Sequence, residues 1–198
     1  MAKSKVLVVG GTGCIGRKIV QTSLAQGHIT YVLQRAEIGL DIDKLQILLS
    51  FKEQGARLIE GSFSDHQSLV TVKQVDVVIC TMSVVHFRSH YILEQLKLVE
   101  AIKQAGNIKR FLPSEFGMDP ARMGDAIEPG RVTFDDKMIV RKGIEDAKIP
   151  FTYVSANCFA GNFVGNLSQI AIHPSLTPPK DKVCIFGDGN VKGTNFNS

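Results

Sequence analysis

The run Lys5-Val6-Leu7-Val8-Val9 leads straight into glycines at positions 10, 13 and 16, and this junction restricts the fold more than any other stretch of the chain. A β-branched apolar run is what a strand buried on both faces requires. After the glycines the period changes, and Ile15, Ile19 and Leu24 recur at helical spacing. Gly10 allows a tight turn, Gly13 lets backbone approach a pyrophosphate with no Cβ in the way, and Gly16 lets the helix pack closely on the strand. Free N–H groups at the start of that helix would face phosphate oxygens. Three glycines alone also describe an idle surface turn. Here the pattern follows a strand, opens a helix that Gly27 closes, and leads into a second strand, Thr30 to Gln34. The loop Gly10-Gly11-Thr12-Gly13-Cys14-Ile15-Gly16 is therefore the candidate dinucleotide cradle, with the GxxGxxG spacing of short-chain and extended reductases rather than GxGxxG.

With 198 residues the chain can hold one α/β domain and little more. The expectation is a doubly wound parallel sheet of Rossmann type. No apolar run is long enough to span a bilayer, and Met1-Ala2-Lys3-Ser4 leads directly into the first strand, which leaves no room for a signal peptide. A cytoplasmic place follows. The net charge of +4 is scattered singly, which argues against nucleic acid as a partner and suits an anionic cofactor. Cys14, Cys80, Cys158 and Cys184 form no C-x-x-C pair and read as reduced, packed thiols.

Strand and helix keep alternating along the chain. Arg35 ends the second strand, where an NAD site would place an acid for the ribose 2′-hydroxyl. A guanidinium there suits a 2′-phosphate instead; the alternatives are a solvated surface arginine, or NAD held through Glu37. Lys44, on a helix from Asp41 to about Phe51, would reach the same phosphate or stand as an ordinary exposed lysine. Further strands are expected at Arg57–Glu60, Val75–Cys80, Arg110–Leu112, Phe151–Ala156 and Val183–Phe186. Helices are expected at about Gln67–Val72, before Ala105, and at Phe134–Ala147. Thr81-Met82-Ser83 falls at the ligand edge of the sheet. His86 and His90 stand one turn apart, but nothing near them completes a metal site. Glu115 and Asp119 read as solvated loop acids. A long connection, Ala121 to Arg131, lies on the same edge and would shape a cleft. Asn157 and Phe159 follow the sixth strand there, as a carboxamide holder and a ring neighbour or as packing, and Gly187-Asp188-Gly189-Asn190 signals a hairpin turn.

Lys137 and Arg141 lie one helical turn apart on one face. A carbonyl-reducing short-chain dehydrogenase would show tyrosine four residues before the lysine; this chain has Thr133. Lysine without tyrosine suits removal of a proton from an acidic group such as a phenol. An ordinary lysine is a poor base at neutral pH, and desolvation with the cations Arg141 and Lys142 would push its pKa down. Spacing alone leaves a surface lysine equally open.

Taken together, Val8 to Gly16, Tyr31-Val32-Leu33-Gln34-Arg35, Gly61 to His66, Lys109 to Pro120, and Glu128 to Lys137 continuing to Phe159-Ala160-Gly161 closely resemble the plant isoflavone reductase-like family of NmrA-type atypical short-chain reductases, its lignan-reductase branch in particular. The resemblance covers about residues 5 to 192. It implies NADPH cradled by Gly10 to Gly16, its 2′-phosphate on Arg35 and Lys44, Lys137 as proton acceptor and Arg141 as a cofactor contact. The implied reaction is reduction of lignans: a phenol loses its proton, a benzylic ether opens to a quinone methide, and hydride is delivered to the benzylic carbon. Related reductions of isoflavones or phenylcoumaran ethers, or a non-catalytic NADPH sensor, stay open. The resemblance also implies a homodimer, a Rossmann domain over residues 1–157, and a substrate-binding region begun at 158–198. Ala36 replaces a proline common in the family. The stretch from Gly193 onward departs from it altogether, so the substrate region is expected to be incomplete and the activity of this shortened chain open.

Overall fold

The structure, a computed structural model, describes residues 3–35, 41–61, 72–82, 92–128, 130–159, 180–185 and 188–190. Chain contacts separate Met1–Asn157 from Cys158–Ser198 as two compact units. In the first unit five strands, β1 (Lys5–Val9), β2 (Ile29–Gln34), β3 (Arg57–Glu60), β4 (Val77–Cys80) and β5 (Arg110–Leu112), form one sheet in the order β3-β2-β1-β4-β5. Every pairing is parallel, with Val6 opposite both Thr30 and Val77. This is the doubly wound Rossmann arrangement the glycine junction called for. Its topological switch lies between β1 and β4, and ligands of such sheets sit beyond the C-terminal strand ends there.

The two faces of the sheet bury alternate residues, which is why the strands read as continuous apolar runs. Val6, Val8 and Val32 pack with Val20 of α1 (Cys14–Ala25) and with Leu48 and Phe51 of α2 (Ile42–Glu53). On the opposite face Leu7, Val9, Tyr31, Leu33, Val78 and Cys80 pack with Leu98, Val99 and Ile102 of α3 (Gln95–Ala105) and with Val140 and Ile144 of α4 (Arg131–Asp146). Asp41 caps α2 through its side chain, accepting from the Lys44 N–H at 3.1 Å.

Several boundaries differ from the sequence reading. The fourth strand begins at Val77 and α4 at Arg131, the latter with an Arg131–Asp135 pair one turn apart in its first turns. The expected sixth strand shrinks to a single parallel bridge between Phe111 and Phe151. The Phe111 N–H donates to Pro150 O at 2.8 Å and the Thr152 N–H to Phe111 O at 2.9 Å. The next bond of that ladder would need an N–H at Pro113, which has none, so the pairing stops. Of the strand expected at Val183–Phe186, residues 183–185 have no strand pairing, and Val183 and Ile185 are exposed. The turn beyond them is described at 188–190, where the Asn190 N–H donates to Asp188 Oδ1. Residues 67–71 of the helix expected at about Gln67–Val72, together with His86, His90, Phe186 and Gly187, lie outside the described residues. Cys80 is buried, but Cys14, Cys158 and Cys184 are exposed, which corrects the reading of four packed thiols. Cys14 heads α1, where the chain has just emerged from the sheet. No helix among the described residues is long and apolar enough to cross a membrane.

Candidate functional site

Beyond the C-terminal end of β1 the chain turns sharply, with Gly10 at φ +80° and the Gly13 N–H donating to Gly10 O at 3.0 Å. Only glycine holds such a turn without strain. At Gly16 the limit is space: a Cβ would strike Gly10 O and lie 2.5 Å from Thr81 Oγ1. Gly11, to which the sequence assigned no separate task, is closed off by Val32, whose Cγ1 would lie 2.8 Å from an added Cβ. Gly13 is less crowded, its nearest neighbour being Gly10 O at 3.3 Å.

From the end of β4, Thr81 donates its hydroxyl to Val9 O at 2.8 Å and is within 3.1 Å of Gly10 O. Its backbone N–H also donates to Val9 O at 2.8 Å. Sequence position put Thr81 at the ligand edge; its work as the clip on the turn was not readable there. The first turn of α1 has neither a side-chain cap nor an acid. Its leading N–H groups therefore lack a side-chain acceptor, which fits the anion site that a glycine turn and a helix N-terminus make together. Side chains at Gly10, Gly11 and Gly16 would collide with Thr81, Val32 and Gly10 O, so the turn keeps its close approach to the sheet and helix only with glycine there, as a dinucleotide-binding turn requires.

Arg35 follows β2 and is exposed, with its guanidinium unpaired among the described residues. Lys44 is half exposed and pairs with the Asp41 carboxylate at 2.5 Å, so it would have to leave Asp41 to meet a phosphate. Arg35 thus stands just past the C-terminal end of β2, and Lys44 in the first turn of α2.

Lys137 is buried, at 6% exposure, and donates to the backbone oxygen of Glu115 at 2.7 Å. Burial pushes its pKa below the ordinary lysine value, the Glu115 carboxylate opposes this, and the Arg141 charge adds to it. Lys142, expected to help, instead turns outward to Asp146 at 2.7 Å and is itself exposed. The surface-lysine alternative falls.

Glu115 and Asp119 correct the sequence reading in the same place. The Glu115 side chain is 3% exposed and takes a two-point contact from Arg141, Nε to Oε1 at 3.0 Å and Nη2 to Oε2 at 2.9 Å. Arg141 Nη1 reaches Asp119 Oδ1 at 2.9 Å, and the guanidinium lies 4.3 Å from the Tyr153 ring centre. Three of its five N–H groups are thus committed to carboxylates, an arrangement that a cofactor contact did not anticipate. The signal was missing because the partners stand far apart in sequence.

The segment carrying Glu115 is pinned at several points. Ser114 donates its N–H to Gln95 Oε1 at 2.8 Å and its hydroxyl to Met82 O at 2.7 Å. Gly117 O accepts from the N–H groups of Ala156 and Asn157, which explains Asn157 at the edge by its backbone; its side chain and Phe159 are exposed. Phe116, between the two anchored residues, has φ +31°, a conformation that a bulky side chain adopts only when its surroundings enforce it. Asp119 caps the short 3-10 helix Pro120–Arg122, with which the expected cleft loop begins. No cluster of metal-ligating side chains occurs among the described residues.

Residues 2–190 match the NmrA-like family. The chain belongs to the NmrA-like family. Among curated proteins, an isoflavone reductase homolog of Lupinus albus is 75% identical over 193 residues, which are 97% of this chain and 61% of that protein. A bifunctional pinoresinol-lariciresinol reductase of Linum perenne is 72% identical, over 97% of this chain and 60% of that protein. Among solved structures, AtPrR2 with NADP+ and (+)pinoresinol superposes with a TM-score of 0.87 at 65% identity, over 96% of this chain and 61% of that one. An isoflavone reductase superposes at 0.85 with 42% identity, over 97% and 61%. This NmrA-like chain therefore spans about three-fifths of the length of the relatives it matches.

Proposed function

We propose that this NmrA-like chain carries the cofactor-binding part of an NADPH-dependent lignan reductase, converting pinoresinol to lariciresinol and lariciresinol to secoisolariciresinol. The observation that carries the reading is Lys137: a buried amine with a lowered pKa, oriented by a backbone oxygen, with no tyrosine in the preceding turn. Relatives that bear the names of pinoresinol-lariciresinol reductases supply the substrate class. The structure of AtPrR2 with NADP+ and (+)pinoresinol supports both cofactor and substrate.

In this reading the turn Gly10–Gly16 and the uncapped start of α1 bind the pyrophosphate, while Arg35, with Lys44 swung from Asp41, takes the 2′-phosphate. NADPH, when bound, supplies the hydride. Lys137 accepts the phenolic proton at Nζ while an N–H stays on Glu115 O, and the phenolate so formed expels the benzylic ether oxygen to give a quinone methide in the substrate. A substrate that makes its own electrophile needs no acid at a carbonyl, which accounts for Thr133. Residues 158–198 begin the substrate-binding region, and a homodimer in the cytoplasm belongs to the same reading.

The test is a chiral product assay with pinoresinol and lariciresinol plus NADPH, run on the unmutated chain and on Lys137→Ala. Loss of a general base costs on the order of 10²- to 10⁴-fold in turnover, with NADPH affinity kept. Turnover that survives Lys137→Ala would refute the assignment. Isoflavone consumed in place of lignan would move the chain to the reaction named by its Lupinus albus relative, and cofactor bound with neither substrate consumed would make it an NADPH sensor.

A further inference from the structure

The two halves of Glu115 meet Lys137 in opposite ways. Its backbone oxygen accepts from Nζ at 2.7 Å, a bond that a neutral amine makes as well as an ammonium, leaving the lone pair directed elsewhere. Its buried carboxylate, by contrast, favours the charged lysine. A lone carboxylate beside a base would keep the proton on it and defeat general-base work at neutral pH. In this chain the carboxylate is not alone. Arg141, one turn along α4 from Lys137, covers both oxygens, and its remaining side reaches Asp119. Tyr153 closes the guanidinium from its face.

We propose that Glu115 and Arg141 form a positioning pair for Lys137, in which the Glu115 carbonyl orients the nitrogen and the Arg141 guanidinium masks the carboxylate that would otherwise hold a proton there. This deepens the reading of Lys137 as the base and rests on it. Arg141 then stands behind the catalytic amine rather than against the cofactor. The charged groups that act on Lys137 are Glu115, from the segment after β5, and Arg141, on its own helix; Asp119 acts through Arg141, and Lys142 is turned away to Asp146. Because a nearby opposite charge favours the charged form of an amine, unmasking Glu115 shifts the Lys137 titration toward higher pH.

The experiment is an NMR titration of the Lys137 13Cε signal in the whole 198-residue chain, assigned by its absence in Lys137→Arg. In Arg141→Gln the titration moves to higher pH and the neutral fraction at pH 7 falls about tenfold or more. In the double variant Glu115→Gln, Arg141→Gln it returns toward the unmutated position, a recovery that a merely structural role would not produce. An unshifted titration in Arg141→Gln overturns the proposal. Should Arg141→Gln fail to fold, Glu115→Gln decides: the Lys137 titration moves to lower pH if the pair acts as proposed, and stays in place if it does not. The pH profile of lignan turnover separates the two readings. A limb that follows the NMR shift supports both, whereas a limb that stays put while the NMR signal moves refutes Lys137 as the base and leaves the pair standing.

Discussion

Thr81 Oγ1 occupies the space that a side chain at Gly16 would claim, 2.5 Å from where that Cβ would stand, while bonding to Val9 O at 2.8 Å. The cradle is thus closed from β4 as well as built from β1. Gly16→Ala would drive a methyl into the backbone oxygen of Gly10, which has no rotamer to yield. Overpacking of this kind costs about 1–3 kcal/mol. The expected outcome is a lower urea midpoint and NADPH binding weakened about fivefold or more, each 1.4 kcal/mol being a factor of ten. Unchanged midpoint and affinity would show that the turn can open without loss.

Thr81 itself separates shape from bonding. Thr81→Val keeps the volume but removes the hydroxyl donor to Val9 O and Gly10 O; both carbonyls keep a backbone N–H, from Thr81 and Gly13, so the loss is that of an ordinary hydrogen bond, about 0.5–1.5 kcal/mol. Thr81→Ser keeps the hydroxyl and should retain most of the cofactor affinity. A fluorescence titration with NADPH ranks the three proteins, and the clip is refuted if the valine variant binds as well as the serine variant.

Arg35 decides between the two nicotinamide cofactors. A charge-assisted bond to the 2′-phosphate contributes about 1.5–3 kcal/mol, so the unmutated chain should bind NADPH at least about tenfold more tightly than NADH. Arg35→Ala should remove most of that preference and leave NADH affinity nearly unchanged. Calorimetric titration with both cofactors reads it directly; equal affinities before mutation would return Arg35 to an ordinary surface arginine.

Asp119 gives the acid limb of stability. Partial burial raises its pKa, but the Ala121 N–H and the Arg141 guanidinium outweigh that and hold it below the usual carboxylate value. A depressed native pKa means that the unfolded chain binds more protons in this range. The stabilisation is therefore present above about pH 4 and is lost as pH falls through the native value. Urea midpoints measured from pH 5 to pH 2.5 should fall less steeply in Asp119→Asn than in the unmutated chain. Parallel slopes would mean that the Arg141–Asp119 bond carries no such linkage.

The regular part of this fold was legible because its causes are local. Val6 to Val9 alternate between two buried faces, Asp41 caps the helix it precedes, and Gly10 marks the turn, each read from a few neighbouring residues. The site was half legible. Lys137 stood out by its missing tyrosine, yet Glu115 looked like a solvated acid because its partner Arg141 lies 26 positions away and no periodicity links them. The sixth strand failed for a reason present in the sequence but set on the wrong strand: Phe151 to Ala156 has a good β pattern, and it is Pro113, on the neighbour's side, that cannot continue the ladder. The glycine count likewise explained Gly10 and Gly16 but not Gly11, whose limit is Val32 across the sheet.

The bond from Thr81 to Val9 spans 72 positions of chain, and that distance orders events in time. β1 and β2 pair across a short crossover, and β3 adds to the same side, so half of the sheet can assemble from early, inexpensive loop closures. The glycine turn already exists in that half, but nothing yet holds it. Only when β4 docks on the other edge of β1 does the threonine hydroxyl arrive to set its shape. A nascent chain emerging from a ribosome would thus be blind to NADPH until β4 and Thr81 have emerged, and cofactor capture would report completion of the central sheet rather than its beginning.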